Sequence, residues 1–568
     1  MSIDTIIFKE IGIFPELFLG ISLVYLVLYG TFLIVSSSFP LIQVPTLHLS
    51  ILILIMICFL LENETLTTCE FSIFNNTIII DYASTSSKIL ISCFCILCLL
   101  MVEFYLQDLK VNQFEYFLLF LFAILGFFIL CSANDLITAY LAIELQSLSF
   151  YVLATFKKNS TFSVDAGLKY FILGAFSSSL FLLGVSIIYG FTGTLNFEDF
   201  KDLFFFNFPG NLTKISVDSF YIKHHFMVSG FLETISDEAF LLLNNYIIEN
   251  SWNDVEIFVS QVEAYTSYIQ SNLELWSFYC QPISTELLQF AIIFIIVSLF
   301  FKLALAPFHL WAPDIYEGSL SSSTFFFAVM PKLGIFLLLI RLLYCCFYGF
   351  LDNWRYFVVF IALISIIVGS TVGLEQRKLK NLLAYSSISH MGYSLVAFST
   401  GTFEGIQLLF CYLIVYMCSG TCLWSIFLLT RLKYKFVKKQ NKDITDFVLL
   451  KKSNKMLALF LTILLFSIAG FPPMVGFIAK IGVFLVSLEA SMFCAAFIGI
   501  LFSVVATFYY IRIIKLIFFE NKLVGRLYHP ITVERAVFIV VLVYFLIFLF
   551  INPTLLFLIS YKISLVFF

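Results

Sequence analysis

Charge is scarce in this 568-residue chain. Asp, Glu, Lys and Arg make up 12% of it, against 61% hydrophobic and 18% aromatic residues. That is too little charge to solvate the surface of a soluble protein of this size, which excludes a soluble fold. Metal-binding cysteine patterns are lacking too. The thirteen cysteines lie mostly inside apolar runs, as Cys93, Cys95 and Cys98 do in SCFCILCLL. Without histidine or loop partners they read as small helix residues rather than zinc ligands. There is no Gly-rich nucleotide loop of the chain's own, and nothing points to nucleic acid. A basic leader is missing as well: the first eleven residues carry Asp4, Lys9 and Glu10, and no cleavage-site pattern follows the first apolar run.

What the chain has in abundance is apolar length. Runs of 18 or more such residues recur from end to end, each long enough to cross roughly 30 Å of hydrocarbon as a helix. Lipid cannot satisfy open backbone groups and the runs lack strand-like alternation, so the expected fold class is an all-α polytopic membrane protein of about fourteen transmembrane helices. Their expected positions are 12–36, 46–61, 89–107, 114–132, 134–156, 165–192, 286–306, 320–346, 355–374, 380–400, 403–430, 456–487, 488–518 and 535–560. The twelfth is interrupted by GFPP at 470–473.

Loop charges orient these helices. Lys157 and Lys158 follow helix 5, Arg377, Lys378 and Lys380 follow helix 9, and nine Lys or Arg against two Asp lie between helices 11 and 12. All of these loops follow odd-numbered helices, which places that face on the side of insertion and both termini on the outer side. The largest even loop, 196–285, carries twelve acidic residues against three lysines. A structureless connection of that length is improbable, and its periodicity suggests short outer-side helices that offer a contact for an extra subunit.

Two stretches echo each other: LFFKLALAPF from Leu299 resembles LLFSIAGFPP from Leu464, and AGLKYF near Gly167 resembles EGIQLLF near Gly405. Five helices separate the copies, so matching helices cross in opposite directions. Inverted repeats with a broken helix in each are a recurring transporter plan.

The intramembrane charges carry the chemistry. Glu144 falls near the middle of helix 5, Lys302 just before the proline break of helix 7, Lys332 in the middle of helix 8 and Lys480 beyond the break of helix 12. A central charge costs about 2.5–3.5 kcal/mol on insertion scales, which argues for function over decoration, the alternative being a snorkelling or structurally paired charge. In a low-dielectric interior a lysine's proton affinity depends on how close a carboxylate lies. Should Glu144 approach Lys302, the pair is a switch, and Lys332 can pass the proton on through water. Pro307, Pro331, Pro472 and Pro473 free carbonyls that survive at membrane depth only along a wet cavity or inside protein. Histidine is the side chain able to titrate near neutral pH, so His309 and His390 suit a relay, or else are hydrogen-bonded core residues. Lys169, Arg512 and Lys515 fit the inner-side interface. HLWAPD, from His309 to Asp314, also has the His-x4-Asp spacing of acyltransferases, but no second motif for an acyl donor follows it.

Several long ordered motifs are similar to one family: NDLITAYLAIELQSLSFYVLA, AGLKYFILGAFSSS, FKLALAPFHLWAPDIYEGS, KNLLAYSSISHMGYSLVAFSTGTFEGIQ and AGFPPMVGFIAK. They resemble the plant and bacterial forms of the subunit 2 family of proton-pumping NADH:ubiquinone oxidoreductase, respiratory complex I, over roughly residues 95–195 and 286–520. The resemblance implies an antiporter-like fold with two inverted five-helix repeats and broken helices 7 and 12. The expected divisions are 1–113 for helices 1–3, 114–346 for the first repeat, 347–520 for the second and 521–568 for helix 14. It also implies that Glu144, Lys302, Lys332 and Lys480 occupy the family's proton-channel positions. FMN, iron–sulfur clusters and ubiquinone would belong to partner subunits, with other membrane-arm subunits and lipid as neighbours. Phe-rich composition without a transit peptide fits an organelle-encoded protein of the mitochondrial inner membrane, both termini on the intermembrane-space side, and a bacterial origin also fits. A multisubunit cation/proton antiporter component is the alternative within the same kinship.

Overall fold

Hydrocarbon offers a backbone amide no partner outside its own chain, and the protein answers with helices almost throughout. The structure, a computed structural model, describes residues 12–35, 43–65, 71–109, 114–157, 159–206, 285–434, 437–440, 443–448, 450–520, 527–528 and 533–568. Of the acidic 196–285 insertion one short helix, Phe197–Phe206, is described; the rest, with any further short outer helices, lies outside the described residues.

Helices stand at all fourteen expected places. In order they are α1 (Phe14–Val35), α2 (Gln43–Thr65), α3 (Tyr82–Leu109), α4 (Glu115–Ser132), α5 (Leu136–Thr155), α6 (Thr161–Thr192) and α7 (Thr285–Leu303). Then come α8 (Ser321–Val329 and Pro331–Ile340), α9 (Leu351–Glu375), α10 (Leu379–Phe398), α11 (Phe403–Leu429), α12 in halves Lys455–Ala469 and Val475–Glu489, α13 (Phe493–Phe518) and α14 (Val533–Ile551). A short antiparallel hairpin, β1 (Phe71–Ile73) with β2 (Ile78–Ile80), leads into α3. That helix begins earlier than expected because Asp81 accepts from the Ser84 amide at 2.7 Å and caps it. The expectation of one last helix over 535–560 is corrected. α14 stops at Ile551, and after Pro553 a separate α15 (Thr554–Ser564) turns back beside α11, with Ser560 Oγ 3.0 Å from Cys411 Sγ and Tyr561 packed on Phe403. Proline disfavours helical geometry in the residue before it, so the break falls at Asn552.

Burial sorts these helices into an inside and a lipid face. The apolar window of α8 is wholly buried, while that of α14 is only 22% buried. α10 is the most polar crossing, since it carries Ser386, Ser387, Ser389 and Ser394, all buried. Each of those hydroxyls donates to a carbonyl one turn back, at 2.7–2.8 Å, so the helix satisfies its own polar side chains.

The two broken helices break in the same way. At the end of α7 the Ala304 amide donates to Phe301 and the Leu305 amide to Phe300; at the first half of α12 the Gly470 amide donates to Ser467 and the Phe471 amide to Phe466. This paired pattern is a Schellman turn, which needs a left-handed residue at its pivot. Gly470 supplies it at φ 85° and Ala304 at φ 58°. The non-glycine pivot carries roughly 1–2 kcal/mol of backbone strain. A cis proline follows three residues after each pivot, Pro307 and Pro473. The structural match is therefore one residue off the sequence echo, which set Pro307 against Pro472. Hydrogen bonding fixes the register, and the similarity of greasy side chains does not.

Two buried ion pairs lie away from these breaks. Arg341, just beyond α8, donates to both oxygens of Asp81 at 2.9 and 2.7 Å, with the two side chains 5% and 2% exposed. Lys88 of α3, 1% exposed, bonds Glu16 of α1. Removing one member of such a pair strands a charge, whereas replacing both by apolar residues does not. Asp81→Ala is expected to cost about 3–5 kcal/mol, and Asp81→Leu with Arg341→Met to recover most of it. Thermal unfolding of the solubilised protein measures both.

Candidate functional site

The site is built from helix interiors outward. Glu144 sits in the middle of α5, where Ser147, one turn on, donates to its Oε2 at 3.3 Å and its Oε1 is buried without a protein partner. Lys302 closes the last turn of α7, with its Nζ enclosed and likewise unbonded, and Glu144 is the acid whose charge reaches it. Lys332 follows Pro331 in the fully buried α8 and is 4% exposed. Both lysines line one cavity of about 20 Å³ together with Gln146, Ser147, Tyr170, Trp311 and Tyr316. That is room for about one water molecule, and the polar lining gives such a molecule partners.

The break of α7 supplies part of this wall. Trp311 donates its indole N–H to the Phe301 carbonyl at 3.0 Å, a second bond beside that of the Ala304 amide, and stacks on Tyr170 at 5.0 Å between ring centres. After the break, the short helix Trp311–Gly318 is tied down by charge. Asp314 pairs with Lys169 at 2.6 Å, Glu317 with Lys378, Asn381 donates to Glu317 at 2.9 Å, and Lys380 donates to the Ser319 carbonyl at 2.7 Å. Arg512 donates to the Leu374 carbonyl at 2.8 Å, and also to that of Gln376, near the same basic loop.

The other half is organised around Lys480 and His390. Lys480, 6% exposed, donates to the Ala469 carbonyl at 2.7 Å, a carbonyl freed by the break in its own helix. A Cβ on Gly470 would meet the Lys480 Cδ at 2.8 Å, so glycine there serves the lysine as well as the turn. His390 of α10 has Tyr412 at Nδ1 and Tyr510 at Nε2, and the charges of both Lys332 and Lys480 reach it. Lys332 bonds the Tyr416 hydroxyl at 3.2 Å. Among the described residues, no ion pair includes Lys302, Lys332 or Lys480.

Of the six site residues expected from sequence, the structure gathers Glu144, Lys302 and Lys332 in one region and Lys332, His390 and Lys480 in the next. His309 stands apart. It does not line the cavity; its ring packs on Tyr385 at 6.1 Å between centres, and its Nδ1 has no protein partner. Asp314 is engaged with Lys169, so the Asp-supported histidine of an acyltransferase is not formed. Sequence reading missed the tyrosines. Tyr412 and Tyr416 lie four apart in CYLIVYM, on one face of α11, and that spacing in an apolar run was the available signal.

A bundle with two matched broken helices, each with a lysine at or after its break whose ammonium is enclosed, defines a multi-pass membrane protein of antiporter-like fold. The sequence bears this out: residues 133–237 and 252–507 match the family described as NADH:quinone oxidoreductase/Mrp antiporter, transmembrane. The chain belongs to that family. It is 33% identical over 559 residues to NADH-ubiquinone oxidoreductase chain 2 of Marchantia polymorpha, covering 98% of each. It is 33% identical over 510 residues to NADH-quinone oxidoreductase subunit N of Pelagibacter ubique, covering 90% of each. A chain of respiratory complex I from Thermus thermophilus shares the fold at a TM-score of 0.68 and 23% identity, over 96% of this chain and 98% of that one. Kinship of this extent makes the protein a membrane-arm subunit type, a part of an enzyme complex rather than a free-standing enzyme.

The charge ties of the short helix are testable by pH. Burial pushes the Glu317 carboxyl up, but bonds from Lys378 and Asn381, with the nearby charges of Lys378 and Lys380, outweigh it and hold the group below its ordinary 4.5. Its contribution is therefore fully present above the ordinary carboxylate range and fades as the pH falls through the lowered value. As a half-exposed pair it contributes about 1 kcal/mol at most. Glu317→Gln is expected to lower the unfolding temperature slightly at neutral pH, and the gap to close in acid; melting curves at the two pH values check this.

Proposed function

We propose that this chain is a proton-translocating membrane-arm subunit of an NADH:ubiquinone oxidoreductase. The observation that carries the reading is the cavity shared by Lys302 and Lys332, with Glu144 in electrostatic reach. In this reading Glu144 sets how tightly Lys302 holds its proton, because an adjacent carboxylate favours the charged lysine and a withdrawn or neutral one does not. The proton released passes across the cavity to Lys332, then by way of His390 to Lys480. Residues 114–346 and 347–520 act as two inverted halves, with 1–113 and 521–568 flanking them. His309, beside the α7 break, is assigned to the approach from the Lys378 side.

The chain holds no redox centre in this reading. FMN, iron–sulfur clusters and ubiquinone belong to partner subunits, and conformational or electrostatic change in those partners reaches the Glu144–Lys302 pair. The relative from Marchantia supports the mitochondrial inner membrane as the location, with both termini on the intermembrane-space side by the loop-charge argument. The 196–285 insertion is assigned to contact with an outer-side partner. A second reading, a cation/proton antiporter component, has support in the family description itself. Co-purification with flavin and iron–sulfur signals favours the first reading, and sodium-dependent proton flux without redox activity the second.

Glu144→Gln or Lys302→Met is expected to lower proton pumping and coupled quinone reduction in the assembled complex by about tenfold or more, the scale of losing one proton-transfer group. Proton uptake into vesicles during NADH oxidation measures it, and normal pumping by an assembled double variant would overturn the assignment.

A further inference from the structure

Two hydroxyls hold the two ring nitrogens of His390. Nδ1 lies 2.6 Å from the Tyr412 hydroxyl and Nε2 lies 3.3 Å from that of Tyr510. The three residues come from α10, α11 and α13, and all are buried, at 7%, 4% and 1% exposure. A neutral imidazole has one N–H and one bare nitrogen, so one tyrosine accepts from the ring while the other donates to it.

The surroundings point outward from this triad to the two lysines. On one side Tyr416, whose hydroxyl bonds Lys332, lies 5.8 Å from His390 between ring centres. On the other, Tyr393 lies 6.3 Å from His390, and Lys480 stands 5.5 Å over the Tyr393 ring. Tyr509 packs on Tyr510 at 4.4 Å. Packing alone does not account for this. A buried hydroxyl is costly unless bonded, phenylalanine fills nearly the same space, and the chain uses 72 Phe against 28 Tyr. Four tyrosines nevertheless adjoin this one histidine, and a fifth packs on one of them.

We propose that Tyr412 and Tyr510 carry protons and make His390 a two-sided exchanger in the link between Lys332 and Lys480. The inference rests on the proton-path reading above and adds two residues to it. In the forward step a proton bonds to the Tyr412 oxygen while that hydroxyl's own proton passes to Nδ1. An N–H bond forms at Nδ1 as the one at Nε2 breaks, and the Nε2 proton goes to the Tyr510 oxygen, which releases its hydroxyl proton onward. One proton enters, one leaves and no electrons move; the ring finishes as the other tautomer, and a reorientation that presents the bare Nε2 to Tyr412 and the Nδ1–H to Tyr510 readies it for the next proton.

The test uses the whole complex in vesicles, with Tyr412→Phe and Tyr510→Phe made separately and each combined with His390→Leu. Assembly is read from NADH oxidation by artificial acceptors. Each single variant is expected to slow coupled proton pumping by about tenfold or more, and to enlarge the solvent deuterium isotope effect on it, which a packing defect would not. Added to His390→Leu, neither should slow pumping further, since all three act in series. Normal pumping by the assembled tyrosine variants, or losses that multiply with that of His390→Leu, would overturn the proposal. Lys332→Met and Lys480→Met run in parallel separate the two readings. If these pump normally, the proton path itself fails; if they lose pumping while the tyrosine variants keep it, only the exchanger fails. Should one tyrosine variant fail to assemble, the other decides by the same outcomes, because each removes one face of the same ring.

Discussion

Lipid offers backbone groups at membrane depth no partner, and the placement of the buried lysines is tied to where the helices break. Breaking a helix frees carbonyls that lipid cannot satisfy. At α7 Trp311 adds a second bond to the Phe301 carbonyl, which the Ala304 amide already holds, and at α12 Lys480 itself takes the Ala469 carbonyl. A break is thus affordable only where side chains converge, and the convergence gathers the ionisable groups. Both pivots use the same backbone turn, which is why two stretches with little side-chain identity produce the same local geometry.

The two halves differ in how their charges are supported. In the first, two lysines line a cavity beside α5, and the polar atoms Lys302 Nζ and Glu144 Oε1 are left without protein partners. In the second no acid pairs with Lys480 among the described residues, and hydroxyls take over: tyrosines from α10, α11 and α13 close around His390. A carboxylate tunes a lysine strongly and over some distance, whereas a hydroxyl acts only in contact, as donor or acceptor. The buried pairs Arg341–Asp81 and Lys88–Glu16 stand outside this scheme and fix helices to one another.

Much of this was legible in the residues alone. Apolar length gave the helices, since hydropathy and crossing length are properties of a segment by itself. Rarity gave Glu144, Lys302, Lys332 and Lys480, because a charge in such a run is costly wherever the run packs. The break of α14 at Pro553 is equally a property of the segment, since proline disfavours helix in the residue before it wherever the run packs. Tyr412, Tyr416 and Tyr510 were not flagged because a tyrosine in a greasy helix costs little until its hydroxyl is buried, and burial is set by neighbours. Arg341 has the same history: its role depends on Asp81, 260 residues away in the chain.

The sequence by itself determined that the chain crosses a membrane many times as helices, and which few charges are costly at that depth. Only the tertiary structure decided which of them meet. It brought Lys302 and Lys332 to one cavity, set His309 aside against Tyr385, and moved the repeat register by one residue from Pro472 to Pro473. The reason is physical: solvation cost belongs to a residue and its segment, whereas distance and hydrogen-bond direction belong to pairs that only packing brings together.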